Sequence, residues 1–160
     1  MTDIWDKYRH SSPQTINMIG IIILSSKMAM ADGDFSPIEK EEILKIIPHN
    51  PEQKSLLSRL INEAVEDPND IYYHARRVKK LLDGENYEFL EFLIAILYRV
   101  AHADHIFDEK EEKQIRRIAE IFEIKESYFK RIVETLTMIP GKIKNIFLKI
   151  QLIILRKNNA

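Results

Sequence analysis

The chain has no cysteine among its 160 residues, only four glycines and six prolines, and no apolar run of membrane-spanning length. Without cysteine there are no disulfides, no thiolate zinc ligands and no cysteine nucleophile, a composition that suits a reducing compartment. Four glycines are too few for the turns of a many-stranded sandwich, and 45% hydrophobic content is too high for disorder. The longest apolar stretch, Ile16 to Leu24, falls short of the roughly 20 residues a bilayer crossing needs, so it reads as a buried central helix. The opening MTDIWDKYRH lacks the basic-then-apolar pattern of a secretory signal, and a cytoplasmic location is expected.

Acidic residues are missing from the end of the chain. All 25 lie at or before Glu134, after which come Lys142, Lys144, Lys149, Arg156 and Lys157. The body therefore carries a net −6 and the tail +5. An acidic body offers little to a nucleic-acid backbone, whereas the tail suits an anionic surface, including the body itself.

What is present is helical periodicity. Helices are expected over 15–31, 37–47, 52–65, 70–82, 87–103, 109–122, 126–138 and 142–155. Pro48 and Pro51, Asp67-Pro68, Gly84 and Pro140-Gly141 supply the breaks. Ile38, Ile43, Ile46 and Ile47 mark the inner side of the second helix; Leu56, Leu57, Leu60, Ile61 and Ala64 mark that of the third. Tyr72, Tyr73, Tyr87 and Tyr98 are expected at the core or its boundary, and His10, His49 and His74 in solvent. The fold class is all-α, a single domain over 1–160.

The organising feature is an acidic turn that occurs twice. ADGDFSPIEKEEI (31–43) and ADHIFDEKEEKQI (103–115) align without a gap at an offset of 72 residues, pairing Ala29 with Ala101, Asp32 with Asp104, Phe35 with Phe107, Glu39 with Glu111 and Ile43 with Ile115. The register extends to Ser55 with Ser127 and Arg59 with Arg131, giving repeat units of about 15–66 and 87–139. Each unit has an apolar face that it cannot bury alone, so the two copies are expected to pack together.

Part of each turn is explained by helix starts. Ser36-Pro37-Ile38-Glu39 has the form of a capping box, Asp108 to Glu111 repeats it, and Phe35 and Phe107 stand where hydrophobic staples would. Asp32, Asp34 and Asp104 are less well explained. They follow the C-terminal ends of the preceding helices, where a carboxylate meets the negative end of the dipole. Crowding Asp32, Asp34 and Glu39 or Glu42 around one turn suits a hard divalent cation, calcium or magnesium, with oxygen ligands. The second set is Asp104, Asp108 and Glu111, where His105 replaces Gly33 and Ile106 replaces Asp34. His102 and His105 beside these acids make zinc an alternative; a helix-end surface pair is the plainer reading. The spacing is not that of an EF-hand, because its sixth position would be Pro37 and its twelfth Ile43.

With its long preceding apolar helix, the turn from Ala31 to Glu39 resembles the tellurite-resistance TerB family and the similar N-terminal domains of membrane-anchored DnaJ-like co-chaperones. The resemblance covers roughly Thr15 to Met138. It implies an all-helical, bacterial, mainly cytosolic domain tied to stress responses and membrane-associated complexes, with acidic metal sites. Asp32, Asp34 and Glu39 match the first set and Asp104 and Glu111 the second, while His105 and Ile106 depart from the pattern. No His-Pro-Asp tripeptide is present, so chaperone recruitment does not carry over.

Three other functions were weighed. An enzyme using clustered carboxylates lacks support, because there is no phosphate loop, His-Glu-x-x-His or nucleophile elbow, and acids on exposed turns titrate normally. The basic run Arg76, Arg77, Lys79 and Lys80, with Arg116-Arg117, reads as solvated helix faces, and no nucleic acid is expected. The last helix, with Ile143, Ile146, Phe147, Ile150, Ile153 and Ile154 on one stripe, either closes the core or docks through 142–157 on a membrane or a protein partner. A protein partner and no organic cofactor complete the expectation.

Overall fold

Serine, asparagine and aspartate caps set where the helices begin in the computed structural model, which describes residues 3–30, 37–46, 49–82, 87–101 and 109–138. Ser12 accepts the Thr15 amide, with Pro13 in the first helical turn, and opens α1 (Pro13–Ala29). After α2 (Pro37–Ile46), Asn50 and Gln53 form a reciprocal capping box that starts α3 (Pro51–Glu66). Asp70 accepts the Tyr73 amide and opens α4 (Ile71–Leu81). Then come α5 (Tyr87–Ala101), α6 (Glu109–Ile121) and α7 (Glu126–Met138). No strand occurs among the described residues. The domain is all-α, with seven α-helices described; the expected helix over 142–155, Gly84 and Pro140-Gly141 lie outside them.

The end of α6 is set by Glu123, at φ 61°. The Ile124 amide reaches back to the Ala119 carbonyl and the Glu123 amide to that of Glu120, so a left-handed residue closes the helix and buries Ile124 after it.

Helix α1 is central. It packs against α2, α3, α4 and α5, while α5 also meets α2, α6 and α7. Because α1 is surrounded, Ile16, Ile19, Ile21, Ile22, Ile23 and Leu24 are all buried together with Asn17, Ser25 and Ser26, and no polar face interrupts the run. Ser26 returns its hydroxyl to the Ile22 carbonyl at 2.6 Å. At Gly20 the helix approaches α4 closely: a Cβ there would stand 3.1 Å from a methyl of Val78. Helix α4 also reaches α6 and so ties the first three helices to the last three.

Among the described residues, α1, α2 and α3 occupy Pro13–Ala29, Pro37–Ile46 and Pro51–Glu66, and α5, α6 and α7 follow in the same order over Tyr87–Ala101, Glu109–Ile121 and Glu126–Met138.

Three expectations about burial need correction. Ile38 and Leu56 were placed inside, yet they are 68% and 61% exposed. Helix α2 buries Ile43 and Leu44 instead, and α3 buries Leu57, Leu60, Ile61 and Ala64, a complete i, i+3, i+4, i+7 stripe that leaves Leu56 on its shoulder. His74 was placed in solvent and is fully buried, on the α4 stripe of Ile71, Ala75 and Val78. The N-terminal segment, given no element in the sequence reading, forms a 3-10 helix over Ile4–Tyr8, capped by Asp3 and Asp6. It inserts Trp5 fully into the core. Tyr98 is buried, and Tyr72 and Tyr73 pack at the boundary.

Candidate functional site

The acidic turns join the two central helices to the helices that follow them. Of the residues singled out there, Asp32, Asp34, Asp104 and Asp108 lie outside the described residues, as do His102 and His105. Glu39 falls in the first turn of α2, and Glu111 in the first turn of α6. Among the described residues no group of three or more His, Asp or Glu is placed to hold a metal.

Glu111 itself is a correction. An acid expected on an exposed turn is only 6% accessible, in line with Ile115, Ile118 and Ala119 on the inner stripe of α6. A carboxylate in the interior needs a partner of opposite charge, a hydrogen-bond donor or a cation. As an all-oxygen donor it is of the type hard divalent ions take.

A cluster centred on Arg116 joins α5, α6 and α7. Arg116 on α6 reaches Glu112 one turn earlier at 3.3 Å, bonds Glu126 at the start of α7, and lies 5.0 Å from the ring centre of Phe129. Phe129 packs on Tyr98 of α5 with ring centres 6.1 Å apart. Burial, aided by the Glu112 charge, pushes the Tyr98 phenol well above its ordinary range, so it stays protonated.

A chain of four side chains joins four segments: the 3-10 helix, α1, the α3–α4 connection and α4. Trp5 Nε1–H donates to His74 Nδ1 at 2.9 Å, and His74 Nε2 stands 2.7 Å from Asp67 Oδ2. Lys27, in the last turn of α1, lies 3.7 Å from the same carboxylate oxygen and donates to the Asp67 carbonyl. The Asn69 amide donates to Asp67 Oδ2 at 3.0 Å. Lys27 thus anchors the C-terminal end of α1, just before the first acidic turn, to the α3–α4 connection.

Hydrogen-bond inventory decides the protonation of this chain. An indole N–H only donates, so His74 Nδ1 must accept, and the ring's one proton sits on Nε2 and points at Asp67. His74 is therefore neutral. Burial pushes the imidazole down, further than the Asp67 carboxylate raises it. Burial opposes ionisation of Asp67 too, but the bonds from His74 and Asn69 and the nearby Lys27 hold its carboxyl below the usual range. With His74 sealed from solvent and both of its nitrogens engaged, the chain is a structural lock and offers no base to an outside substrate.

Both shifts have the same consequence for pH. For each depressed group the unfolded chain binds protons that the folded one refuses, so stability is full above the unfolded value and declines as pH falls. The decline should begin below about pH 6.5, the ordinary histidine value, with a further loss from Asp67 below about 3.8. Denaturant midpoints across about pH 2–8 check this; His74→Gln should flatten the upper limb of the profile.

Four basic side chains of α4 and α6, Arg77, Lys79, Arg116 and Arg117, are engaged within the fold, while Arg76, Lys80, Lys110 and Lys113 are exposed. Arg77 faces Asp6 at 3.8 Å, Lys79 faces Glu123 at 3.3 Å, and Arg117 lies 4.5 Å from the ring centre of Tyr72. No helix among the described residues is long and apolar enough to cross a membrane.

His74 and Glu111 were both readable. Each occupies a position in a buried stripe, and a polar residue in a stripe is the mark of a buried partner or site. Trp5 had no such mark, because a five-residue 3-10 helix leaves no periodicity to detect.

The described fold is all-helical, with α1 at its centre, and the acid-bearing sequences 31–36 and 102–108 follow α1 and α5. Residues 18–134 match the family model described as Tellurite resistance protein TerB, which covers well over half of the chain. The chain belongs to the TerB family. No curated protein and no solved structure matches it.

Proposed function

We propose that this TerB-family domain acts without catalysis, as a cytoplasmic stress-response module whose two acidic turns bind divalent cations and whose surface engages a protein partner. The observation that carries the reading is Glu111. A carboxylate buried in the first turn of α6, next in sequence to Asp104 and Asp108, supplies an oxygen donor of the kind a hard cation takes. The gapless sequence repeat at an offset of 72 residues supports a duplicated helix–turn–helix unit, so that Asp32, Asp34 and Glu39 serve the first turn as Asp104, Asp108 and Glu111 serve the second. Calcium or magnesium fits this oxygen-rich set better than zinc. Ile38 on α2, Leu56 on α3 and Tyr128 on α7 are large apolar side chains left exposed, and they are the contacts a protein partner would use.

Calorimetric titration of chelator-stripped protein with calcium, magnesium and zinc tests the metal reading. Saturable calcium or magnesium binding is expected with a dissociation constant on the order of 10⁻⁴–10⁻³ M, as for open extracellular-type modules. Asp32→Asn with Asp34→Asn should weaken the first site at least about tenfold, which is roughly 1.4 kcal/mol. Heat signals that survive the double substitution unchanged would remove the first turn from consideration.

A further inference from the structure

A cleft of about 190 Å³ opens between α1 and α3. Its α1 wall is one helical stripe, Thr15, Met18, Ile19 and Ile22; its α3 wall is another, with Leu57 and Leu60 deep and Leu56 at the lip. Tyr8, at the end of the 3-10 helix, also lines it. The interior is thus almost wholly aliphatic. Its rim is not. Arg59 and Glu63 both line the cleft from α3, and the two differ in how their charges are used. Glu63 faces Lys7 at 3.7 Å, whereas Arg59 has no carboxylate partner among the described residues. The cleft therefore presents an apolar slot with the exposed guanidinium of Arg59 at its edge, and His49 and Gln53 complete its polar lining.

We propose that this cleft binds a free medium-chain fatty carboxylate, with the alkyl chain between α1 and α3 and the carboxylate on Arg59. The volume sets the chain length. An apolar cavity of about 150 Å³ takes up a benzene ring, so 190 Å³ suits on the order of six to eight carbons and is small for a drug-sized or nucleotide ligand. The charge sets the head group. Guanidinium pairs with carboxylate through two parallel hydrogen bonds, and this pairing is strongest beside an apolar surface that excludes water. The exposed Leu56 at the lip covers the chain where it leaves the slot.

The test uses the full chain and octanoate below its micelle concentration, read by calorimetry and by methyl NMR of Ile19, Ile22, Leu57 and Leu60. Saturable one-to-one binding with shifts at those methyls is expected. Arg59→Gln, a surface change that leaves the core intact, should weaken octanoate about tenfold and leave octanol binding unmoved. Absence of saturable binding at millimolar octanoate overturns the proposal. So does equal binding of octanoate and octanol, which would leave Arg59 without a role. Binding only to anionic phospholipid vesicles would assign the cleft to a membrane surface, and methyl shifts on protein dilution alone would assign it to a second copy of the chain; either result overturns the proposal.

Discussion

Replacing Asp67 by alanine should lower the unfolding free energy by about 3–5 kcal/mol, the cost of leaving buried charge without its partner. The carboxylate collects Lys27, His74 and the Asn69 amide, and both long side chains are nearly enclosed. Among the described residues, removing the Asp67 carboxylate leaves the Lys27 ammonium only a backbone carbonyl and takes away the acceptor of the His74 Nε2–H. The rest of the lock sets the control. Asp67→Asn keeps the shape and a carbonyl oxygen for His74 but loses the charge facing Lys27, so it should cost less than the alanine change. Urea unfolding at pH 7 measures both. A loss below about 1 kcal/mol for Asp67→Ala, the range of exposed ion pairs, would mean that the network contributes no more than a surface contact.

Trp5→Ala should be nearly as damaging, at about 3–5 kcal/mol for a large buried aromatic. Trp5 is fully buried although it lies on a short 3-10 helix, and its indole N–H satisfies His74. Removing it opens a cavity and orphans Nδ1 of the imidazole. Trp5→Phe separates the two effects, because it fills most of the space and loses only the hydrogen bond, at about 1–3 kcal/mol. The two positions share one hydrogen bond, so Trp5→Phe and His74→Gln should not be additive. Equilibrium unfolding of the single and double variants checks the coupling.

How much of this was legible depended on length and periodicity. The central helix declared itself because α1 is buried on every side and its sequence is correspondingly unbroken from Ile16 to Leu24. The four-residue stripes of α3, α4 and α6 were also readable. Errors arose at their edges. Leu56 and Ile38 are apolar residues just off a buried stripe, and composition alone cannot separate a shoulder from a face. His74 and Glu111 were misplaced for the opposite reason: a polar residue inside a stripe was read by its type and not by its position. The first turn's Asp32 and Asp34 were found through the repeat, which gives their spacing but not their arrangement in space. The Lys27–Asp67–His74–Trp5 lock joins residues up to 69 apart, and no local pattern connects them.

The lock and the arginine cluster suggest a division of labour within the domain. Lys27 fixes the helix that leads into the first acidic turn, and Arg116 ties α6, which follows the second, to α7.

The central claim is that the two turns bind divalent metal, and amide-resolved NMR of the metal-free full chain titrated with calcium tests it most directly. The account predicts saturable shifts concentrated at 31–39 and 103–111, with Glu111 among the strongest and the core of α4 silent. Shifts absent at millimolar calcium, or spread evenly over surface acids without saturation, would contradict it and leave Asp32, Asp34, Glu39, Asp104, Asp108 and Glu111 as structural residues of the helix ends.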